Sequence, residues 1–418
     1  MENKTVIPPE SHIPGFKQGL RDLPQALSAK AVSAGLVAAI FGCSGPALVV
    51  IGTAKAGALT PGQTVAWLMA IYIFGGLISL YFALRYKMPI TGAYSIPGAA
   101  IMAAAFGSFA FPEMVGAFVM AGVIVFILGI TGIIQRIMYW IPMPIVMGMI
   151  SGAMIRFGVG AVDAVAAAPY IAGAAVVAYF LVARYVKAMP PVLAALIVGL
   201  LAALVTGSFG EHAIGVAFVM PELTVPTFTI AAFFGVALPL AALVIGAENA
   251  QATGVLMVEK YQPPVNAMTI VSGIGGVVAG FFGGHNANIA GPMTAICSSE
   301  QANDDPKKRY AATVVNGLLF ATFGLCAGFA VPFIMLMPKS LIGVVAGLAM
   351  IGVLLGSLQE AFTKARGHQL GAFVALVVAM SSFQLFGISG AFWALVFGVV
   401  VSLLCDGPPV RPNAEAEH

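Results

Sequence analysis

Long apolar stretches, broken at short polar or Pro/Gly-rich turns, run along the chain from about residue 31 to about residue 405. An α-helix needs roughly 20 apolar residues to cross a bilayer, and the stretches are close to that length. The pattern predicts an all-α polytopic membrane protein with fourteen membrane-spanning segments. Their predicted bounds are 31–54, 64–84, 90–108, 113–134, 141–160, 166–184, 191–208, 229–256, 265–282, 286–299, 311–331, 338–358, 369–384 and 389–405.

Composition and charge agree with a chain whose main solvent is lipid. Hydrophobic residues make up 60% of the 418 residues and charged residues only 8%, whereas soluble domains carry about 25% charged residues. With the N-terminus in the cytoplasm, the positive-inside rule holds for all 19 Lys and Arg except Lys55, Arg156 and Lys339. We therefore predict that both termini are cytoplasmic, with residues 1–30 as the N-terminal segment and residues 406–418 as the tail.

The two halves of the chain share motifs at a constant separation. Pro97 of Ile-Pro-Gly-Ala and Pro292 of Ala-Gly-Pro-Met are 195 positions apart, and so are two Gly-x-x-x-Gly pairs, Gly148–Gly152 and Gly343–Gly347. Small residues at this spacing let helices pack closely in lipid. Seven segments per half is an odd number, so the second half enters the membrane upside down. This predicts a 7+7 inverted repeat, the architecture of many secondary transporters.

The third and tenth segments are short and contain Gly and Pro, so each is expected to be a short strand followed by a half-helix. Pro97 and Pro292 suit the first helical turn, where no backbone N–H is needed. In inverted-repeat transporters the substrate binds where such broken segments meet near the midplane. Two helix N-termini directed at one point would form an anion site without a fixed cation. The alternative is a pair of proline-kinked packing helices.

Glu248 lies deep in the eighth segment, within Gly-Ala-Glu-Asn-Ala-Gln. A charge at a span centre costs about 2.5–3.5 kcal/mol or more, and a carboxyl avoids much of this cost by binding a proton. We therefore predict that Glu248 carries a coupling proton; the alternative is a structural carboxyl paired with an amide. Asn249 and Gln251 beside it either orient its carboxyl or line the cavity, or they form plain interhelix hydrogen bonds. His285 is either a second proton carrier or a turn histidine bonded to backbone.

The predicted substrate-binding residues belong to the broken segments, to the neighbours of Glu248 and to a mid-span Gly-Pro in the first segment. They are Ser44, Tyr94, Ser95, Pro97, Gly98, Asn249, Gln251, Asn286, Asn288, Gly291, Pro292, Met293 and Thr294. Neighbouring helices must satisfy the backbone groups that the Gly-Pro frees. No metal and no cofactor is predicted, with protons as the coupling ion. Walker and HExxH motifs are absent from the sequence, so ATP-driven pumping and metallohydrolase chemistry have no support.

Three stretches resemble the benzoate:proton symporter (BenE) family of bacteria. They are Asn-Ile-Ala-Gly-Pro-Met-Thr-Ala-Ile-Cys-Ser-Ser at 288–299 followed by Arg309-Tyr310, Thr-Gly-Ala-Tyr-Ser-Ile-Pro-Gly at 91–98, and Gly-Ala-Glu-Asn-Ala-Gln at 246–251. The resemblance covers essentially the whole chain. It implies proton-coupled uptake of benzoate or a similar aromatic carboxylate across the bacterial inner membrane by alternating access.

The family is related in architecture to nucleobase–ascorbate and sulfate-type anion transporters. In the nucleobase relatives an acid matching Glu248 lies in the site, and segment ten tends to carry a second acid. Here that neighbourhood has Asn286 and Asn288, which suits an anionic substrate because a second carboxylate would repel it. An anion channel and a nucleobase or inorganic-anion transporter of the same fold remain open. A membrane enzyme is disfavoured, because a single acid and a single histidine lie at membrane depth.

The resemblance also implies a core domain that moves against a gate domain, often within a homodimer. The implied partners are a small organic anion and the lipid bilayer, with no nucleic acid. The predicted divisions are a first repeat at 31–208, a second repeat at 229–405, a core domain at 31–134 and 229–331, and a gate domain at 141–208 and 338–405.

Overall fold

The computed structural model describes residues 13–43, 45–132, 142–186, 191–208, 218–363, 367–381, 383, 385 and 390–406. Ser44 of the predicted site lies outside the described residues, as do residues 1–12 and all of the predicted tail except Asp406. Within the described part, each of the predicted membrane segments contains helix.

The described residues fold into helices and one pair of two-residue strands. In chain order the elements are α1 (Phe16–Ala26), α2 (Ala29–Cys43), α3 (Gly45–Ala56), α4 (Pro61–Tyr86), β1 (Gly92–Ala93), α5 (Ile96–Ala105), α6 (Phe111–Thr131), α7 (Met143–Ala167), α8 (Ala174–Tyr185), α9 (Pro191–Val205), α10 (Ile230–Met257), α11 (Val265–Phe281), β2 (Asn288–Ile289), α12 (Gly291–Ser298), α13 (Tyr310–Leu325), α14 (Ala327–Met335), α15 (Lys339–Phe362), α16 (Gln369–Met380) and α17 (Gly390–Val401).

Six described stretches are long and apolar enough, by length and composition, to cross a membrane. They are Ala29–Ala56, Pro61–Tyr86, Phe111–Thr131, Met143–Ala167, Ile230–Met257 and Lys339–Phe362. Shorter apolar helices of 10–17 residues lie in six of the other eight predicted segments. The tenth contains the 8-residue α12, and the eleventh contains α13 and α14. The protein is thus a multi-pass, mostly helical membrane protein. Fourteen spans, the 7+7 repeat and the division into core and gate stay predictions.

Several predicted segments differ from a single regular helix, among them the eleventh and the eighth. The predicted segment 311–331 is divided, because α13 ends at Leu325 and α14 begins at Ala327. The eighth segment contains two π-helical turns, Phe233–Ala237 and Val244–Asn249. The residues at these irregularities are almost all as apolar as the flanking helix, so a hydropathy pattern does not detect them.

Helices α7, α15 and α16 pack closely at three of the four glycines of the Gly-x-x-x-Gly pairs, whereas a Cβ atom at Gly343 would meet its nearest neighbour at 3.8 Å. A Cβ atom at Gly148 would lie 2.2 Å from the Ala372 carbonyl oxygen, and one at Gly152 would lie 2.2 Å from the Leu376 carbonyl oxygen. On α15, a Cβ atom at Gly347 would lie 2.4 Å from the Phe157 carbonyl oxygen of α7. Side chains are excluded at these points because backbone meets backbone.

Replacing Gly148 with Ala is therefore expected to lower the thermal unfolding midpoint in detergent. The added methyl group would push α7 and α16 apart, and overpacking of this kind typically costs about 1–3 kcal/mol. Gly160→Ala on the same helix is the control, because a Cβ there meets nothing within 4 Å. The control should keep or slightly raise the midpoint, since Ala favours helix. Equal loss in both variants would contradict the packing argument.

Small residues also let the strand pair lie between α4 and α11. A Cβ atom at Gly75 of α4 would lie 2.7 Å from the Cα atom of Ala93. A Cβ atom at Gly275 of α11 would lie 2.4 Å from the Ala287 carbonyl oxygen. The two helices hold the strands tightly from both sides, and this places the half-helices α5 and α12 that follow them.

Candidate functional site

The two broken segments meet as an antiparallel pair of strands. Gly92 pairs with Ile289, and Ala93 pairs with Asn288. β1 leads into α5 and β2 leads into α12, so both segments have the predicted strand and half-helix.

The pairing of these segments continues beyond the strands. The Ala290 N–H donates to the Thr91 carbonyl oxygen at 2.9 Å, and the Ser95 N–H donates to Asn286 Oδ1 at 3.0 Å. Thr91 and Asn286 are 195 positions apart, and so are Ser95 and Ala290, so the repeat offset relates the two hydrogen-bonded pairs. This relation fits the two-fold character of an inverted repeat.

Side chains of the flanking helices accept hydrogen bonds from the backbone N–H groups at the outer edges of the strand pair. At membrane depth such groups need partners within the protein. The Gly92 N–H donates to Ser79 Oγ at 2.8 Å, and the Ile289 N–H donates to Ser272 Oγ at 3.2 Å. The Ser272 hydroxyl in turn donates to Asn249 Oδ1 at 3.1 Å. The Asn249 side chain therefore links α10 to α11 and β2. This is the interhelix hydrogen bonding that the sequence left open as one of its roles.

Glu248 occupies the π-helical turn Val244–Asn249, a feature frequent at functional sites. Its side chain is 5% exposed and hydrogen-bonds to the Ser95 side chain and the Gly291 backbone N–H. Ser95 is the N-cap of α5, because its Oγ accepts the Gly98 N–H at 3.0 Å. Gly291 is the first residue of α12. The N-termini of both half-helices thus converge on one buried carboxyl group.

A cavity of about 790 Å³ opens beside this carboxyl group, within the usual range for a small-molecule site. Of the predicted site, its lining includes Tyr94, Pro97, Glu248, Gln251, Pro292 and Met293. The opposite wall was not predicted and comes from α7 and α15, with Met143, Met147, Ile150, Ala349, Gly352 and Gly356. Hydropathy does not distinguish a cavity wall from any other apolar helix face.

Other predicted residues are packed inside the protein rather than on the cavity wall. The Thr294 hydroxyl lies 2.9 Å from that of Thr91. A Cβ atom at Gly98 would meet Leu240 Cδ1 at 2.9 Å. Within the described part of the chain, the Asn288 side chain and the Asn286 Nδ2 atom are buried without a hydrogen-bond partner. A direct substrate contact by these four residues stays a prediction.

His285 lies between Trp67 and Ser95 with both ring nitrogens engaged. Trp67 Nε1 donates to His285 Nδ1 at 2.9 Å, and Nε2 is 2.8 Å from the Ser95 carbonyl oxygen. Indole can only donate, so Nδ1 carries no proton and Nε2–H donates to Ser95. A second proton on the ring would break the bond to Trp67. This geometry favours the backbone-bonded histidine over the proton carrier.

The Gly-Pro in the first segment frees a carbonyl, and two tyrosines satisfy it. Pro46 has no N–H, so the Gly42 carbonyl lacks its helical partner. The hydroxyl of Tyr72 donates to this oxygen at 2.6 Å and that of Tyr94 at 3.3 Å. Sequence analysis missed Tyr72 and Trp67. The sequence feature that could have identified them is an aromatic residue with a hydrogen-bonding group at the centre of an apolar span.

Several helices are apolar enough to cross a membrane, and two half-helices meet at a buried acid beside a cavity. These features define the class of polytopic membrane transporters with an interrupted-helix site. The family model described as "Benzoate membrane transport protein" (BenE) matches residues 25–404. The chain belongs to this family, as the sequence motifs indicated. It is a membrane transporter and not an enzyme.

Two relatives extend over nearly the whole chain. The "Benzoate membrane transport protein" of Acinetobacter baylyi is 26% identical over 389 residues, which cover 93% of this chain and 98% of the relative. The "Inner membrane protein YdcO" of Escherichia coli is 29% identical over 377 residues, which cover 89% of this chain and 96% of the relative.

Solved structures of anion transporters share the fold. The transmembrane domain of the cyanobacterial bicarbonate transporter BicA aligns with a TM-score of 0.57 at 14% identity, covering 90% of this chain and 97% of that one. SLC26A9 aligns with a TM-score of 0.61 at 14% identity, covering 92% of this chain and 67% of that one. At this identity the likeness extends to the fold alone.

Proposed function

We propose that this protein takes up benzoate or a similar aromatic carboxylate together with protons, by alternating access to the cavity beside Glu248. The observation that carries the proposal is the convergence of the N-termini of α5 and α12 on the Glu248 carboxyl group at the cavity wall. Protons are the coupling ion, and no further cofactor is part of the proposal.

The start of α12 supports an anion site. Its N-cap residue, Ala290, supplies no side-chain cap, and the Gly291 N–H bonds to Glu248 instead. The positive end of a helix dipole favours a negatively charged group at this place. When Glu248 is ionised, it occupies the amide and repels an anion. When Glu248 is protonated, a substrate carboxylate can take the amide without repulsion, so proton and substrate bind together.

The cavity walls suit an aromatic ring attached to the carboxylate. Tyr94 and Met293 lie on one side, and Met147 and Ile150 of α7 lie on the other. Methionine sulfur makes favourable contacts with aromatic rings. An inorganic anion would leave these apolar walls without a partner. This contrast favours an aromatic carboxylate over a sulfate-type substrate.

The direction of the cavity supports an inward-open state. The cavity extends from Glu248 to Glu259 at the end of α10 and to Gln359 and Glu360 near the end of α15. The distribution of basic residues assigns these helix ends to the cytoplasm. Movement of the predicted core domain against the predicted gate domain would then open the site to the other side. A homodimer remains part of the proposal.

Uptake of labelled benzoate into proteoliposomes tests the proposal. An inward proton gradient is expected to drive accumulation, and unlabelled aromatic carboxylates should compete while uracil and sulfate do not. Accumulation of uracil or sulfate without benzoate would replace the proposed substrate by one of the alternatives. Conductance far above carrier turnover in reconstituted bilayers would point to a channel.

A further inference from the structure

The helix α1 lies ahead of the first apolar segment and is clamped to the ends of two spans. It starts after Gly15, whose φ of +88° suits only glycine, and the Gly15 N–H donates to the Arg85 carbonyl oxygen at 3.0 Å. A Cβ atom at Gly19 would lie 2.0 Å from the Leu84 carbonyl oxygen. The Tyr310 hydroxyl donates to the Gly19 carbonyl oxygen at 3.1 Å. Since α4 ends and α13 begins here, α1 lies at the level of the membrane surface.

An apolar row on α1 and its C-cap residue is partly exposed, and its first member, Phe16, also packs edge-on against Tyr81 of α4 with 5.7 Å between the ring centroids. Phe16, Leu20 and Leu27 are 41%, 56% and 43% exposed. The row continues into α2 with Val32 and Leu36, which are 46% and 45% exposed. Because α2 belongs to a stretch apolar enough to cross the membrane, the exposed row of α1 continues a surface that faces lipid.

Positive charge flanks this apolar row. Lys17 and Arg21 are exposed, stand one helical turn apart and follow directly after Phe16 and Leu20. Neither takes part in an ion pair within the described residues. The neighbouring acid is already engaged: Asp22 binds Lys87 at 2.7 Å, and this hydrogen bond holds the pKa of Asp22 below its usual range.

We propose that α1 is an interfacial helix that binds anionic phospholipids. Its apolar row would lie at the boundary of the acyl chains, and Lys17 and Arg21 would contact headgroup phosphates. A helix with one apolar side and basic residues beside it lies in the plane of the interface. Each basic residue near an anionic leaflet strengthens association by about fivefold. Through the clamp on α4 and α13, bound lipid stabilises the folded protein.

The position of the apolar row is tested with Phe16→Trp in the full-length protein. The chain has three native Trp residues, so the signal is the difference from the parent protein. In vesicles with bromine on the upper acyl chain, the added indole should be quenched. An unquenched indole would overturn the proposal, since the row would then face water or a second protein chain.

The role of the charges is tested with the double variant Lys17→Gln/Arg21→Gln in nanodiscs of phosphatidylcholine, with and without phosphatidylglycerol. Phosphatidylglycerol should raise the thermal unfolding midpoint of the parent, and the variant should lose most of this shift. Lys307→Gln/Lys308→Gln is the matched control. It removes the same charge from exposed positions on the turn Pro306–Lys308, which contacts α1 but carries none of the apolar row, and it should keep more of the shift than the first variant. An undiminished shift in the first variant, or an equal loss in the control, would overturn the proposal.

Discussion

Glu248→Gln is expected to abolish accumulation driven by a proton gradient while substrate exchange continues. Glutamine has the shape of a protonated glutamate and can still accept the Gly291 N–H, but it cannot release a proton. In proteoliposomes the ratio of internal to external substrate should fall to the value reached without a proton gradient. Exchange of labelled for unlabelled substrate should stay within about tenfold of the parent rate, the factor that about 1.4 kcal/mol of altered hydrogen bonding produces.

Glu113→Gln is the matched control for this result. Glu113 lies at the start of α6, where its Oε2 accepts the Ala110 N–H at 3.0 Å, and it is not part of the cavity lining. The glutamine side-chain oxygen can still accept the Ala110 N–H, so this variant should accumulate substrate like the parent. Accumulation that survives Glu248→Gln would show that another group carries the proton. Loss of accumulation in both variants would point to a nonspecific effect.

His285→Ala is expected to destabilise the protein rather than to shift the pH dependence of transport. The change leaves the Trp67 N–H without its partner inside the bundle. It also removes the imidazole donor to the Ser95 carbonyl, which keeps only the Ala99 N–H. A buried unsatisfied donor costs about 1–3 kcal/mol, and the cavity left by the imidazole ring adds to this loss. The thermal unfolding midpoint and the recovery of folded protein in detergent measure this loss.

Trp67→Phe separates the two hydrogen bonds of His285. It removes only the indole donor, so it should cost less stability than His285→Ala. In both variants the folded fraction is expected to keep the parent pH profile of transport, because both ring nitrogens of His285 are engaged by Trp67 and Ser95. A stable His285→Ala protein that has lost its pH dependence would establish the histidine as a proton carrier.

Several features of the site were predictable from local sequence. Pro97 and Pro292 marked both half-helices because proline, which has no N–H, is favoured in a first helical turn. Glu248 stood out because an acid in an apolar span has a high cost. Asn249 was ambiguous, and the structure turned its amide towards α11. The wall formed by Met147 and Ile150 had no signal, because apolar residues of a membrane helix face lipid, protein or cavity with the same composition.

The sequence by itself determined that this chain crosses a membrane many times, that two broken segments correspond, and that one acid lies at membrane depth. Hydrophobicity, proline geometry and charge are properties of single residues and short runs. Only the tertiary structure decided that the Glu248 carboxyl meets both helix N-termini, that His285 is held between Trp67 and Ser95, and that α7 and α15 complete the cavity. The direction of a side chain depends on the π-helical turn beneath it and on distant neighbours, and no local pattern contains either.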